Sequence, residues 1–240
     1  MIFVEFYNFE TKTLYFPEYF NEKFTFSDLP PNTERIYLGD DFEHELTKDM
    51  FPPNLTHLIV GKFYSSEIKP NVLPESLIHL ELGFHYNFKL SANMLPSNLK
   101  YLRMPDKYSY ELEIGVLPDS IETLILGYEY NISIPPNTLP KGLLHLELNW
   151  NYNQIIKSNV LPQGLSSLKL GGCYNQIFDK NILPSSLYTF ELGWYYSQLL
   201  NDNIFSNSIK EIIVYKNEYN NHSINNILVY KNIIKNIVPY

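Results

Sequence analysis

The sequence predicts a mainly β solenoid built from 22-residue coils. One strand per coil would stack into a single long parallel β-sheet, with extended, non-helical return segments and atypical terminal caps. Three observations carry that expectation. A Leu-Pro pair or its equivalent recurs at Leu29-Pro30, Phe51-Pro52, Leu73-Pro74, Leu95-Pro96, Leu117-Pro118, Leu139-Pro140, Leu161-Pro162 and Leu183-Pro184, and successive prolines stand 22 residues apart without an insertion. A period this strict means one stack of like units rather than a globule with scattered motifs. Within each unit a short stretch such as Leu80-Glu81-Leu82 alternates apolar and polar, which is the period of a strand. Finally, 20 Tyr and 15 Phe against 10 Gly, with Asn and Ile frequent and Ala rare, favour strands and turns over helix.

Taken in order, residues 1–28 read as an N-terminal cap. Ile2, Val4 and Phe6 alternate as one strand face, Asn8-Phe9-Glu10-Thr11 suits a turn, and Thr13-Leu14-Tyr15-Phe16 suits a second strand. Leu14 and Phe16 fall 22 residues before Ile36 and Leu38, so this second strand belongs to a degenerate first coil. A stack leaves an apolar end open, and an atypical terminal unit is needed to cover it. Residues 29–215 form the solenoid proper. Relative to its proline each unit places apolar residues one before and three, six and eight after, often with glycine nine after; one unit reads Leu73, Leu77, Leu80, Leu82 and Gly83. Leu-x-x-Leu-x-Leu at this period is the spacing of a leucine-rich-repeat coil.

The return half of each coil has its own columns. An aromatic stands twelve after the proline, from Phe42 and Tyr64 to Tyr196, and its hydroxyl is expected to be wet. An apolar residue stands sixteen after. Asn stands three before the next proline at Asn71, Asn93, Asn137, Asn159, Asn181 and Asn203, with Asp49 at the equivalent place. These side chains are expected to form a hydrogen-bonded ladder from coil to coil. After Phe205 the unit decays: Ser206 replaces the proline and Tyr215 the glycine. Residues 216–240, carrying Ile227, Leu228, Val229, Ile233, Ile234 and Ile237, read as a C-terminal cap of one or two strands or a short helix. A single right-handed domain of about ten coils, degenerate ends included, results.

Charge and cysteine content restrict the function. The net charge is −8 and no basic stripe is visible, which argues against nucleic acid as partner. Cys173 is the single cysteine, and the start Met1-Ile2-Phe3-Val4-Glu5-Phe6 lacks a basic segment followed by an apolar run, so a reducing intracellular setting is expected. No stretch approaches the ~18 apolar residues of a membrane span. Catalysis is not expected either. Cys173 has no histidine at a similar place in the neighbouring coils, and no Gly-rich phosphate loop is present. His57 and His79 share a column about 5 Å apart with Glu81 beside them, yet a flat sheet converges too few ligands for zinc; neither metal nor cofactor is expected.

What remains is a binding surface. The positions between the inward leucines project from the sheet, and they vary from coil to coil where the core columns do not. One runs Arg35, His57, His79, Tyr101, Thr123, His145, Ser167, Thr189 and Glu211; a second runs Tyr37, Ile59, Glu81, Arg103, Ile125, Glu147, Lys169, Glu191 and Ile213. A third, just past the glycine position, runs Asp40, Lys62, Phe84, Asp106, Tyr128, Trp150, Gly172, Trp194 and Lys216. Packing does not require that contrast, whereas recognition does, and Trp and Tyr are frequent anchors. The candidate binding residues are therefore Phe84, Tyr128, Trp150, Trp194, His79, Glu81, Arg103, His145, Glu147 and Glu191. The function expected is a protein-interaction scaffold; the alternative is a self-assembling structural protein with homotypic contacts.

The repeat resembles the FNIP repeat, whose consensus couples Leu-Pro-x-Ser-Leu-x-x-Leu-x-Leu-Gly to an aromatic-Asn dipeptide and a later Ile-Pro-like pair. Tyr86-Asn87, Tyr130-Asn131, Tyr152-Asn153 and Tyr174-Asn175 match the dipeptide, and Ile134-Pro135 the later pair. The resemblance runs from Leu29 to about Tyr215. It implies a leucine-rich-repeat-like interaction module of the kind found in social amoebae and in mimivirus-like giant viruses that infect amoebae. The Asn, Ile and Tyr bias fits such an AT-rich genome. The resemblance further implies a partner protein of host or viral origin, met in the host cytoplasm. Some family members carry an F-box linking them to ubiquitin ligases. Residues 1–28 read as strand rather than the helices an F-box needs, so any such role here would be substrate recognition within a larger assembly.

Overall fold

The computed structural model describes residues 3–200, 204–216 and 234–239. Its strands are β1 (Tyr7–Asn8), β2 (Thr13–Tyr15), β3 (Arg35–Tyr37), β4 (His57–Ile59), β5 (His79–Glu81), β6 (Tyr101–Arg103), β7 (Thr123–Ile125), β8 (His145–Glu147), β9 (Ser167–Lys169), β10 (Thr189–Glu191), β11 (Glu211–Lys216) and β12 (Ile234–Pro239). They form one sheet in chain order. β1 runs antiparallel to β2, and every later neighbour pair is parallel, residue opposite residue one period on: His57 faces His79, which faces Tyr101. A one-residue slip appears at β11–β12, between Ile212 and Ile213.

The coil closes because each repeated residue type meets a specific need. Middle strand residues Leu58, Leu80, Leu102, Leu124, Leu146 and Leu168 point inward and are almost wholly buried, each worth about 1.5–3 kcal/mol of apolar burial. The Ser two after the proline ties coils together: Ser76, Ser120, Ser186 and Ser208 donate to carbonyls at Leu55, Leu99, Leu165 and Leu187. Where glycine stands nine after the proline, the preceding coil's backbone comes too close for a side chain in the same conformation. A Cβ on Gly127 would stand 1.8 Å from the carbonyl oxygen of Pro105 in the preceding coil.

Three expectations need correction. Val4–Phe6 is a 3-10 turn, not a strand. It swings Phe3 over the open end of the stack, where the ring centroid lies 5.0 Å from Phe16 and 5.4 Å from Phe20; Asn8 then makes the expected turn by accepting from the N–H groups of Glu10 and Thr11.

The Asn column is not a side-chain ladder. Asn71, Asn93, Asn137, Asn159 and Asn181 all have φ between 61° and 67°, and Gly115 fills the same place with φ 82°. Each turns the backbone through the left-handed region, which Asn and Gly enter at least cost. The equivalent Asp49 lies instead in a 3-10 turn, Lys48–Met50, and Asn203 lies outside the described residues. The ladder itself sits one residue past the aromatic column, where Asn87, Asn131, Asn153 and Asn175 accept through Oδ1 from the N–H of Ser109, Asn153, Asn175 and Ser197.

The tyrosine hydroxyls are not wet. Tyr64 through Tyr196 are buried in one file, neighbours such as Tyr152 and Tyr174 stacking at 6.3 Å with their planes 1° apart. Tyr64 and Tyr108 accept from the N–H of Leu46 and Leu90 at 3.1 Å, closing the return onto the aromatic. The hydroxyls of Tyr130, Tyr152 and Tyr174 are buried and meet no partner within hydrogen-bonding length.

Of the expected C-terminal cap, β12 supplies a strand over 234–239, and residues 217–233 lie outside the described residues. Among the described residues no helix is long and apolar enough to cross a membrane.

Candidate binding face

Each strand is three residues long in most coils, so the outer two project from the sheet and the middle one is buried. In β5, His79 and Glu81 flank Leu80. Phe84, Tyr128, Trp150 and Trp194 each stand three residues past the end of a strand and line one margin. The candidate residues form two clusters rather than one site.

The first cluster lies on β4 to β6. His79 stacks on Tyr101 at 4.1 Å with planes 4° apart and on His57 at 5.0 Å, and its Nε2 lies 3.0 Å from Glu81 Oε1. That hydrogen bond, reinforced by His79 and Arg103, holds the Glu81 carboxyl below its ordinary range against the opposing effect of burial. Burial, with Arg35 and His79 adding repulsion, pushes the His57 imidazole down to about 4. Arg103 makes a forked contact with Asp106, 3.1 and 3.3 Å, and Asp106 also accepts from the Tyr128 N–H. Phe84 stands at the margin of this cluster with the ammonium groups of Lys62 and Lys107 at 6.0 and 5.3 Å from its centroid.

The second cluster gathers Glu147, Trp150, Glu191 and Trp194 around a notch of about 290 Å³. Lys169 Nζ lies between the two carboxylates, 3.1 Å from Glu147 and 3.8 Å from Glu191. The Tyr215 hydroxyl donates to Glu191 at 2.6 Å; burial and that carboxylate push it up to about 12. Trp150 stacks parallel to Tyr128 at 6.3 Å and Trp194 packs on Tyr215 at 5.5 Å. The floor is Gly172. A Cβ there would come within 2.5 Å of Trp150 Cε3, so the indole lies on the glycine backbone, in space any side chain would occupy.

His145, exposed on β8, joins neither cluster. Sequence reasoning did not nominate Lys169, Gly172 or Tyr215 for the site. Gly172 was open to notice: it interrupts a column of large or charged residues, and the space it leaves is taken by the Trp150 indole. Tyr215 sits where the glycine column ends, and its reach back to Glu191 could not be read from its position. A larger cavity of about 540 Å³ lies on the return side near Phe24 and Met50, away from every candidate residue. Its Asp28 is spent accepting from Thr25.

The profile of the FNIP Repeat matches residues 20–63, 42–85, 64–107, 86–129, 130–173 and 174–216. The chain belongs to the FNIP-repeat family. Among solved structures this FNIP chain is similar to "CroV588 a novel circular LRR protein structure", with 36% identity and a TM-score of 0.77 over 83% of this chain. The FNIP chain spans 30% of the length of that protein. A weaker likeness, to YopM from Yersinia enterocolitica WA-314, has 21% identity and a TM-score of 0.44, covering 76% of this chain and 44% of that one. No curated protein matches the FNIP chain.

Proposed function

We propose that this FNIP solenoid is a non-enzymatic scaffold that binds a host or viral protein through the variable face of its sheet. The observation that supports the reading most is the contrast within single strands. Leu80 repeats from coil to coil and is buried, while the outward residues beside it vary: Glu81 stands between Ile59 and Arg103, and His79 gives way to Tyr101 on the next strand. Aromatics concentrated at one margin supply anchor area at small entropic cost. A host-cell cytoplasmic setting fits the free thiol of Cys173. Affinity capture from amoebal lysate tests the reading. Replacing Tyr128, Trp150 and Trp194 by Ala should remove the captured protein, and an unchanged set of partners would place binding elsewhere.

A second reading, homotypic assembly, draws support from a different surface. Ile155, Ile177 and Leu199 occupy one column on three successive coils of the return side and are 56%, 62% and 61% exposed. Light scattering at two protein concentrations separates the readings: growth in mass with concentration favours assembly, and a constant monomer favours the partner binder.

A further inference from the structure

We propose that a second copy of this chain covers the apolar file Ile155, Ile177 and Leu199. The two copies pack return side to return side about a two-fold axis that crosses the stack between Ile155 and Ile177. The proposal rests on the second reading, homotypic assembly, and gives that assembly a closed form. It leaves the sheet face of each copy uncovered.

Three observations lead there. The first is that the file is local. The same column carries Glu45, Glu67, Lys89, Glu111 and Ser133 in the coils before, so the packing of a coil does not call for an apolar residue at this place. At about 4.8 Å between coils the three side chains adjoin, and each is more than half exposed. Contiguous apolar surface of this kind marks a contact.

The second is that the charges beside the file are unspent. Two residues on from Ile155 and Ile177, Lys157 and Asp179 stand exposed in one column. Elsewhere on the return side Lys69 is paired with Glu67 and Lys89 with Glu113. Lys157 and Asp179 enter no ion pair among the described residues.

The third is that these charges complement themselves under one symmetry operation. In a two-fold contact, residue i meets j and j meets i. An axis between Ile155 and Ile177 lays each isoleucine on the other, and it sets Lys157 of each copy opposite Asp179 of the second copy. The ion pair then forms twice. Moving the axis onto Ile177 would set Asp179 against its own counterpart. Turning the axis along the stack would set Lys157 against Asn153. Of these arrangements the first alone pairs both charges.

The patch is small beside the roughly 800 Å² per partner of a standard interface, so the pair should be weak, with a Kd on the order of 0.1 mM. Sedimentation equilibrium over concentrations that bracket this value should show the mass rising toward twice that of one chain and no further. Ile177→Asp, shown to be folded by circular dichroism, should weaken the pair at least about tenfold by setting a carboxylate in the apolar contact. Lys157→Glu alone and Asp179→Lys alone should each weaken it about tenfold, because like charges then meet twice. An equimolar mixture of those two variants should pair again, within about threefold of wild type, since each copy supplies the charge that the other lacks. A defect confined to one chain could not be repaired by mixing.

A wild-type mass that stays at one chain would overturn homotypic assembly and this pair with it. Growth in mass that Ile177→Asp leaves intact would keep homotypic assembly and overturn this surface. Growth past twice the mass of one chain, no loss with either charge reversal, or a mixture that stays monomeric would overturn the two-fold register.

Discussion

Tyr64 and Tyr152 hold the same place in their coils, yet their hydroxyls differ in one respect. Tyr64 accepts from the Leu46 N–H within hydrogen-bonding length, and Tyr152 reaches no partner at that length. Tyr64→Phe should therefore cost about 1–3 kcal/mol by orphaning a buried N–H, while Tyr152→Phe should be nearly neutral; urea unfolding of the two variants checks this. The left-handed asparagines give a second contrast. Asn159→Val forces a β-branched residue to φ 63° and should lose about 1–2 kcal/mol, whereas Asn159→Gly should lose a few tenths at most. Equal losses would mean that the Asn side chain, not the backbone, matters there.

At the scale of the element, the strands and their spacing were legible in the sequence. A period-two stretch at a constant interval has one economical packing, and Leu80 over Leu102 follows from it. The role of the two Asn columns was not legible in the same way, because a left-handed turn and a coil-to-coil acceptor select the same residue type. The substitutes distinguish them. Gly115 replaces Asn where φ is positive, and Ser109 and Ser197 stand in the file where a side chain must hydrogen-bond.

The two clusters were partly legible. Glu147, Glu191, Trp150 and Trp194 fall together because their columns run side by side. Lys169 and Tyr215 enter through side-chain reach, which no column encodes. On β4 the sequence also could not show how far burial disfavours a charged His57. The folded imidazole sits near 4 against an ordinary 6.5, so the fold binds fewer protons than the unfolded chain between those values and stability falls as pH drops through that window. His57→Gln should flatten the urea midpoint between about pH 6.5 and 4 relative to wild type.

For the whole molecule, the tyrosine file is one ionisable object. Burial pushes Tyr64 and Tyr152 up to about 12, and Tyr86, Tyr108, Tyr130, Tyr174 and Tyr196 upward as well. Below the ordinary phenol value of 10.0 both folded and unfolded chains keep these protons. Above it the unfolded chain releases them and the folded one does not, so stability is lost as pH rises from about 10. Because every coil contacts only its neighbours, the loss should spread along the stack. The chain has 20 tyrosines and the file holds seven of them, so phenolate absorbance at 295 nm should reach its full value only with loss of sheet signal by circular dichroism; full absorbance while the sheet signal persists would show the file to be open to solvent.

The one-to-one register of the strands has a genetic consequence. His57, His79 and Tyr101 face one another without offset, and the Asn87 acceptor meets its donor 22 residues on. A duplication or deletion of one whole repeat therefore presents the same surfaces to both neighbours, while a change of a single codon's length misaligns every column beyond it. Such a gene can lengthen or shorten by recombination between its own repeats. Each new copy then begins with a working core and is free to drift only in the few side chains that face outward.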